Sequence, residues 1–259
     1  MPPGSRLSAV ERYVELTAAL ARRELQVRYR QTLLGVLWAA GQPVLLVILL
    51  TVLFRGLFDV GENVPYDLYV FSGMVPWLFV ANSLPAATSS LSANAGLLAK
   101  VRFPRTVLPL SCVVSLWPDL VLGWMLWFAL AAWRGVPPTA ASLWIIPLSL
   151  LLTLFVAGLA FLLSSSNARY RDIRYALPLL LQIWMLGSPI MYSLSSIPAP
   201  TRRLLAWNPL VPFLDAFRDA LLAGRTPAAL PILALITAAA LAAGFAAFRQ
   251  NESVLADIL

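Results

Sequence analysis

The chain has 259 residues, 60% of them hydrophobic and only 12% charged, with a net charge of +7, no histidine and one cysteine. Soluble domains carry about 25% charged residues, so this composition and a mean hydropathy of +0.79 indicate a polytopic membrane protein with room for about six spans and no separate soluble catalytic domain. Disulfides, His–Cys metal sites and histidine acid–base catalysis are excluded. The arginines and the single lysine, Lys100, flank apolar runs, so the positive-inside rule explains the basic balance without invoking nucleic acid.

The first 30 residues hold six arginines and no apolar core, so no cleaved signal peptide is expected. Ser8 and Glu11 stand at capping-box spacing. Val10, Tyr13, Val14, Thr17 and Ala21 then recur at helical spacing, with Glu11, Glu15, Arg22 and Gln26 on another side. Residues 8–30 therefore form an amphipathic helix too polar to cross, suited to the cytoplasmic membrane surface. An ordinary soluble lead-in helix would carry the same pattern.

Six stretches follow that are long enough to span: 33–54, 68–91, 106–133, 143–163, 175–197 and 227–248. Pro76, Pro85, Pro118 and Pro189 fall inside them, as membrane helices tolerate. No inverted repeat of the kind found in many secondary transporters is visible.

Basic residues gather on one side of this pattern: Arg6 to Arg30 before the first span, Lys100, Arg102 and Arg105 in the second loop, Arg169, Arg171 and Arg174 in the fourth, and Arg249. The opposite side holds Arg55, Arg134, Arg202, Arg203, Arg218 and Arg225, and its first loop carries Asp59, Glu62 and Asp67. Both termini are therefore expected in the cytoplasm.

Two connections are unusual. Residues 92–105 form a short helix candidate with Lys100, Arg102 and Arg105 and no acid, suited to docking a partner, although topology signalling alone would also account for those bases. Residues 202–224 contain an uncharged run, 204–214, too short to cross and broken by Pro209 and Pro212. On the outer side it would close the mouth of a path or rest on the lipid surface.

The chemistry for work is missing. A phosphate-cradling loop needs GxxxxGK[ST], and the only lysine stands in "AGLLAKVRFP". Energy must come from a partner subunit or an ion gradient. An ion-coupled carrier needs ionisable groups within its spans, and the expected spans contain one, Asp119, next to Pro118. Pro118 frees the carbonyl of Val114, so Asp119 is expected as a structural acid, neutral and donating to a freed carbonyl.

Several stretches resemble permeases of type-2 ABC exporters, the O-antigen and polysaccharide export group most of all. They are "RYR" at 28–30 with "LG", "LW" and Pro43 after it, "PYDLYVFSGMVPW" (65–77), "LLAKVRFPR" (97–105), "NARYRDI" (167–173), "SPIMY" (188–192), "NPL" (208–210) with "FRDALLAG" (217–224), and "FRQNESVLADIL" at the end. They occur in the family's order across nearly the whole chain. Arg102 departs from it, since an aromatic residue would be expected there.

The resemblance implies one all-α transmembrane domain over 1–259, with an interfacial helix, six spans, a cytoplasmic coupling helix at 92–105 and short outer gate helices at 202–224. It implies a homodimer with two copies of a separate ATP-binding subunit, which would hold ATP and magnesium while this chain holds no cofactor. The cargo would be a polysaccharide, O-antigen foremost, on a polyprenyl diphosphate lipid, crossing the bacterial inner membrane. Asn94, Lys100, Arg102 and Arg105 are then the docking residues, and Trp207, Asn208, Pro209 and Phe213 the outer gate. Spans one and five would border the path, with Trp38, Trp184 and Tyr192 as sugar-facing rings. Alternatives are a capsule, teichoic acid, drug or lipid exporter, an ion-coupled carrier using Asp119, and a membrane-embedded glycan-processing enzyme.

Overall fold

The computed structural model describes residues 9–29, 36–57, 64–101 and 103–258, and all regular structure in them is helical. The helices are α1 (Ala9–Tyr29), α2 (Val36–Phe54), α3 (Tyr66–Ala93), α4 (Ala95–Lys100), α5 (Val107–Val114), α6 (Trp117–Trp133), α7 (Ile145–Arg169), α8 (Ile173–Leu186), α9 (Ala199–Leu205), α10 (Val211–Leu221) and α11 (Leu230–Ile258). Tight 3-10 turns lie at Ala140–Trp144 and Leu194–Ser196. Ser8, Arg30 and Arg102 lie outside the described residues.

Four segments are long and apolar enough to cross a membrane: Tyr66–Ala93, Val107–Trp133, Ala140–Arg169 and Leu230–Asn251. Two more apolar helices are shorter, Ala39–Phe54 and Ile173–Leu186. The all-helical membrane class follows from the sequence; the six expected spans appear as four long elements and two short ones.

α3 is the axis. Leu68, Val70, Val80, Ala87 and Leu91 are wholly buried and point to different sides of the helix, the signature of a central element. The helices α2, α5, α6, α7, α8 and α10 all pack on it. Indole N–H groups join the layers: Trp127 Nε1 donates to the Leu68 carbonyl at 3.1 Å, and Trp124 Nε1 to Ser149 Oγ at 3.2 Å. At one end Arg134 Nε donates to Asp67 Oδ2 at 2.8 Å, tying the end of α6 to the start of α3.

α7 and α11 make the most intimate pair. A Cβ added to Gly158 would lie 2.5 Å from the Ala240 carbonyl carbon, and one on Gly244 would lie 2.0 Å from the Gly158 oxygen. Small residues let membrane helices approach this closely.

The stretch expected as one span at 106–133 is two helices, parted at Ser115–Leu116. Pro118 sits in the first turn of α6, where a missing N–H breaks no helical bond. Along α5 lies α1: the Tyr13 hydroxyl donates to Thr106 Oγ1 at 3.1 Å, and Arg28 reaches Asp119. Thr17 and Ala21 are buried as the helical spacing requires, but Val10 and Val14 are exposed.

The fifth stretch differs most. Instead of a span over 175–197, α8 ends at Leu186, and its 14 residues extend about 21 Å. Gly187 closes the helix, and Pro189 lacks the N–H needed to continue it.

Candidate functional site

After α8 the backbone from Gly187 to Tyr192 is irregular, yet almost every carbonyl in it receives a side-chain hydrogen bond from another element. Asn208 Nδ2 donates to the Gly187 carbonyl at 2.7 Å and to Ser188 Oγ at 2.9 Å. Arg218 Nη2 donates to Pro189 O at 2.6 Å and to Ile190 O at 3.1 Å. The hydroxyl of Tyr66 donates to Met191 O at 2.7 Å, and that of Tyr69 to Tyr192 O at 3.1 Å. Non-helical backbone at membrane depth persists only where protein or water satisfies its polar groups, and here α3, α10 and the Asn208 turn before α10 supply the partners.

Arg218 is the centre of this knot. It is buried, stands 3.7 Å over the Tyr69 ring and approaches Asp215 at 4.0 Å. Burial lowers its pKa from the ordinary value, while Tyr69 and Asp215 oppose that shift. Gly73 makes the slot: a Cβ there would lie 3.1 Å from Arg218 Nη2.

The expected path and gate residues meet in the same place. Trp184 Nε1 donates to Asn208 Oδ1 at 2.8 Å, and that oxygen also accepts from the Leu210 N–H at 3.0 Å. The Trp184 ring meets Trp77 edge-on, with centroids 6.0 Å apart. Tyr192 is half-buried, its hydroxyl donating to Leu186 O at 3.1 Å. Trp38 lies in the first turn of α2, with its ring outside the described atoms. Among the gate residues, Trp207 is 88% exposed and Pro209 half-buried. Phe213 is wholly buried, 5.4 Å from Phe155, and so belongs to the core rather than to a mouth. The helical pieces at 202–224 are α9 from Ala199 and α10 from Val211, with the Asn208 turn between them.

At the other end of the molecule α4 covers Ala95–Lys100 rather than the whole of 92–105. Lys100 is exposed and Arg105 half-buried. Asn94 is buried: its amide donates to Ser90 O at 2.9 Å and its oxygen accepts from Arg23 Nη1 at 3.2 Å. It joins α1 to the α3–α4 corner and presents no free surface. Asp119 is not the isolated acid expected from the sequence. It stands in the first turn of α6, where the helix dipole favours a carboxylate, and pairs with Arg28 at 3.1 Å.

Reading the sequence missed Arg218, Tyr66 and Tyr69. A signal was present for the first: Leu214 and Leu221, four residues before and three after Arg218, are buried and place it on the apolar stripe of α10. Tyr66 and Tyr69 share a helix face by the same spacing.

An all-helical, multi-pass bundle whose broken fifth segment is held by side chains, with bases gathered at the opposite end, has the architecture of a membrane transport subunit. Residues 15–222 match the model of the ABC-2 type transporter family, and the chain belongs to that family. It is 33% identical over 227 residues to the O-antigen export system permease protein RfbA of Myxococcus xanthus, covering 86% of each chain. A protein of the same name from Klebsiella pneumoniae is 27% identical over 212 residues, 81% of each. The polysialic acid transport protein KpsM of Escherichia coli is 25% identical over 245 residues, 92% of this chain and 93% of its own.

Proposed function

We propose that the chain is the permease of an ATP-driven exporter that carries a lipid-linked polysaccharide, O-antigen foremost, from the cytoplasmic to the outer face of the bacterial inner membrane. The observation that carries this reading is the 33% identity to a named O-antigen export permease over 86% of both chains. The relative named for polysialic acid transport favours a second reading, capsular polysaccharide export.

In this reading two copies of the chain pair with two ATP-binding subunits, and both termini are cytoplasmic. α2 crosses with the four long elements, and α8 completes its crossing through the irregular stretch at 187–192. α4, with Lys100 exposed and Arg102 and Arg105 beyond it, docks the ATP-binding subunit. Trp207, Asn208 and Pro209 stand at the outer mouth, and Trp38, Trp184 and Tyr192 border the path. Arg28 neutralises Asp119 in an ion pair, which argues against a proton-coupled carrier.

The test is a deletion strain complemented with a tagged copy. The expected result is co-purification of an ATP-binding subunit, and loss of surface polysaccharide with build-up of its lipid-linked form inside when the gene is removed. Unchanged surface polysaccharide, or transport that continues without the ATP-binding subunit, would overturn the reading.

A further inference from the structure

Three amides interrupt the apolar helices: Gln42 on α2 and Gln182 on α8, both exposed, and Asn82 on α3, half-buried. All three line one groove of about 290 Å³ between those helices, together with Trp77. Gln42 and Asn82 also line a smaller cavity of about 40 Å³ with Asp119, which extends the polar surface toward the Arg28–Asp119 pair. In the other direction Trp77 touches Trp184, whose N–H is held by Asn208. Neutral polar groups and indole rings thus run from the basic end to the knot around Arg218.

An unpaired amide facing hydrocarbon is costly, and polar residues inside membrane proteins face the bundle interior or a wet cavity. A glycan presents hydroxyls in many orientations and apolar C–H faces between them. An amide donates and accepts, so it serves any hydroxyl, and an indole face packs on the C–H side. Fixed ion pairs would be costly to desolvate at each step, and the one ion pair here lies at the end of the row.

We infer that Gln42, Asn82 and Gln182 form a row of neutral hydrogen-bonding groups along which the saccharide chain moves. This inference rests on the polysaccharide export reading. Three amides and an indole on one groove favour a hydroxylated chain as the occupant, and a second copy's helix in the groove is the alternative that cysteine cross-linking separates.

The test uses the full permease with its ATP-binding subunit and the leucine variants Gln42→Leu, Asn82→Leu and Gln182→Leu, which keep the helices apolar. The Gln42→Leu/Gln182→Leu double variant should retain protein level and subunit pairing while polysaccharide export slows roughly tenfold. Gln182→Asn, which keeps the amide, should export faster than Gln182→Leu. In a Cys112→Ala background, Gln42→Cys and Gln182→Cys should react with a small hydrophilic thiol reagent. They should be shielded when export is stalled by a hydrolysis-deficient ATP-binding subunit. Wild-type export by the double leucine variant overturns the inference while leaving the exporter reading intact. So does cross-linking of Gln42→Cys or Gln182→Cys between two copies without reagent access, which makes them packing contacts. If the unmodified permease exports no polysaccharide, the exporter reading itself falls.

Discussion

At the scale of residues, a single guanidinium does what a stretch of helix would otherwise do. Arg218 covers the carbonyls of Pro189 and Ile190, which the end of α8 leaves without helical partners, and it stacks on Tyr69 at the same time. A flat fork of donors suits both contacts, which an ammonium group does not. Arg218→Leu should therefore destabilise the detergent-solubilised protein by about 2–3 kcal/mol, because two buried carbonyls lose their donor. Arg218→Lys should recover only part of that loss. Tyr69→Phe keeps the ring beneath the guanidinium and forfeits one hydrogen bond, to Tyr192 O, so it should cost about 1 kcal/mol. Thermal unfolding of the three variants checks the order, and equal melting temperatures would remove Arg218 from the centre of the knot.

Between elements, the contacts to watch are the α7–α11 crossing and the α1–α6 ion pair. Gly158→Ala and Gly244→Ala each place a Cβ against backbone, which cannot rotate away, so the two helices must part. Each should cost about 3 kcal/mol, at the upper end of ordinary overpacking, and lower the folded yield. Gly96→Ala is the control, since a Cβ there meets nothing within 4 Å. Size-exclusion yield and thermal unfolding would separate the two classes. Gly123→Ala should be intermediate, because its Cβ would meet the Val75 side chain at 2.9 Å and that side chain can turn.

The Arg28–Asp119 pair is partly exposed on both sides, 32% and 24%. Asp119→Asn should therefore lower stability by about 1 kcal/mol. The Arg28→Gln/Asp119→Asn double variant should lose less than the sum of its single changes, as a coupled pair requires. Strict additivity in that double-mutant cycle would deny the pair any energetic role.

Across the whole molecule, the contacts sort the charges by end. Arg23 meets Asn94 beside α4, and Asn251 near the end of α11 reaches Ser165 near the end of α7. These contacts bring the bases of α1, α4 and α7 to one end. Asp67–Arg134 and the Arg218 knot stand at the other. This separation is what the positive-inside rule demands of a folded protein. In a Cys112→Ala background, Trp207→Cys should react with an impermeant thiol reagent in intact cells, and Lys100→Cys only after permeabilisation. Labelling of Lys100→Cys from outside would invert the orientation and detach α4 from any cytoplasmic partner.

By itself the sequence determined the membrane class, the order of apolar segments and the clustering of basic residues along the chain, but not where the helices at 106–133 and 175–197 stop. The first three depend on local composition, apolar length and arginine position. Residues 92–105 and 202–224 were recognisable as exceptions because they are too short or too polar to cross. Partnership was not legible. Asp119 read as isolated because Arg28 is 91 positions away in the chain. Phe213 read as part of a mouth because nothing nearby in sequence revealed that Phe155 covers it. Trp184 and Asn208 were legible as separate candidates, but the bond between them was not. The tertiary structure decided these points because burial and hydrogen bonding are satisfied by neighbours in space. A carbonyl freed at Pro189 can be answered by a guanidinium 29 residues later only once α10 has folded back against α3.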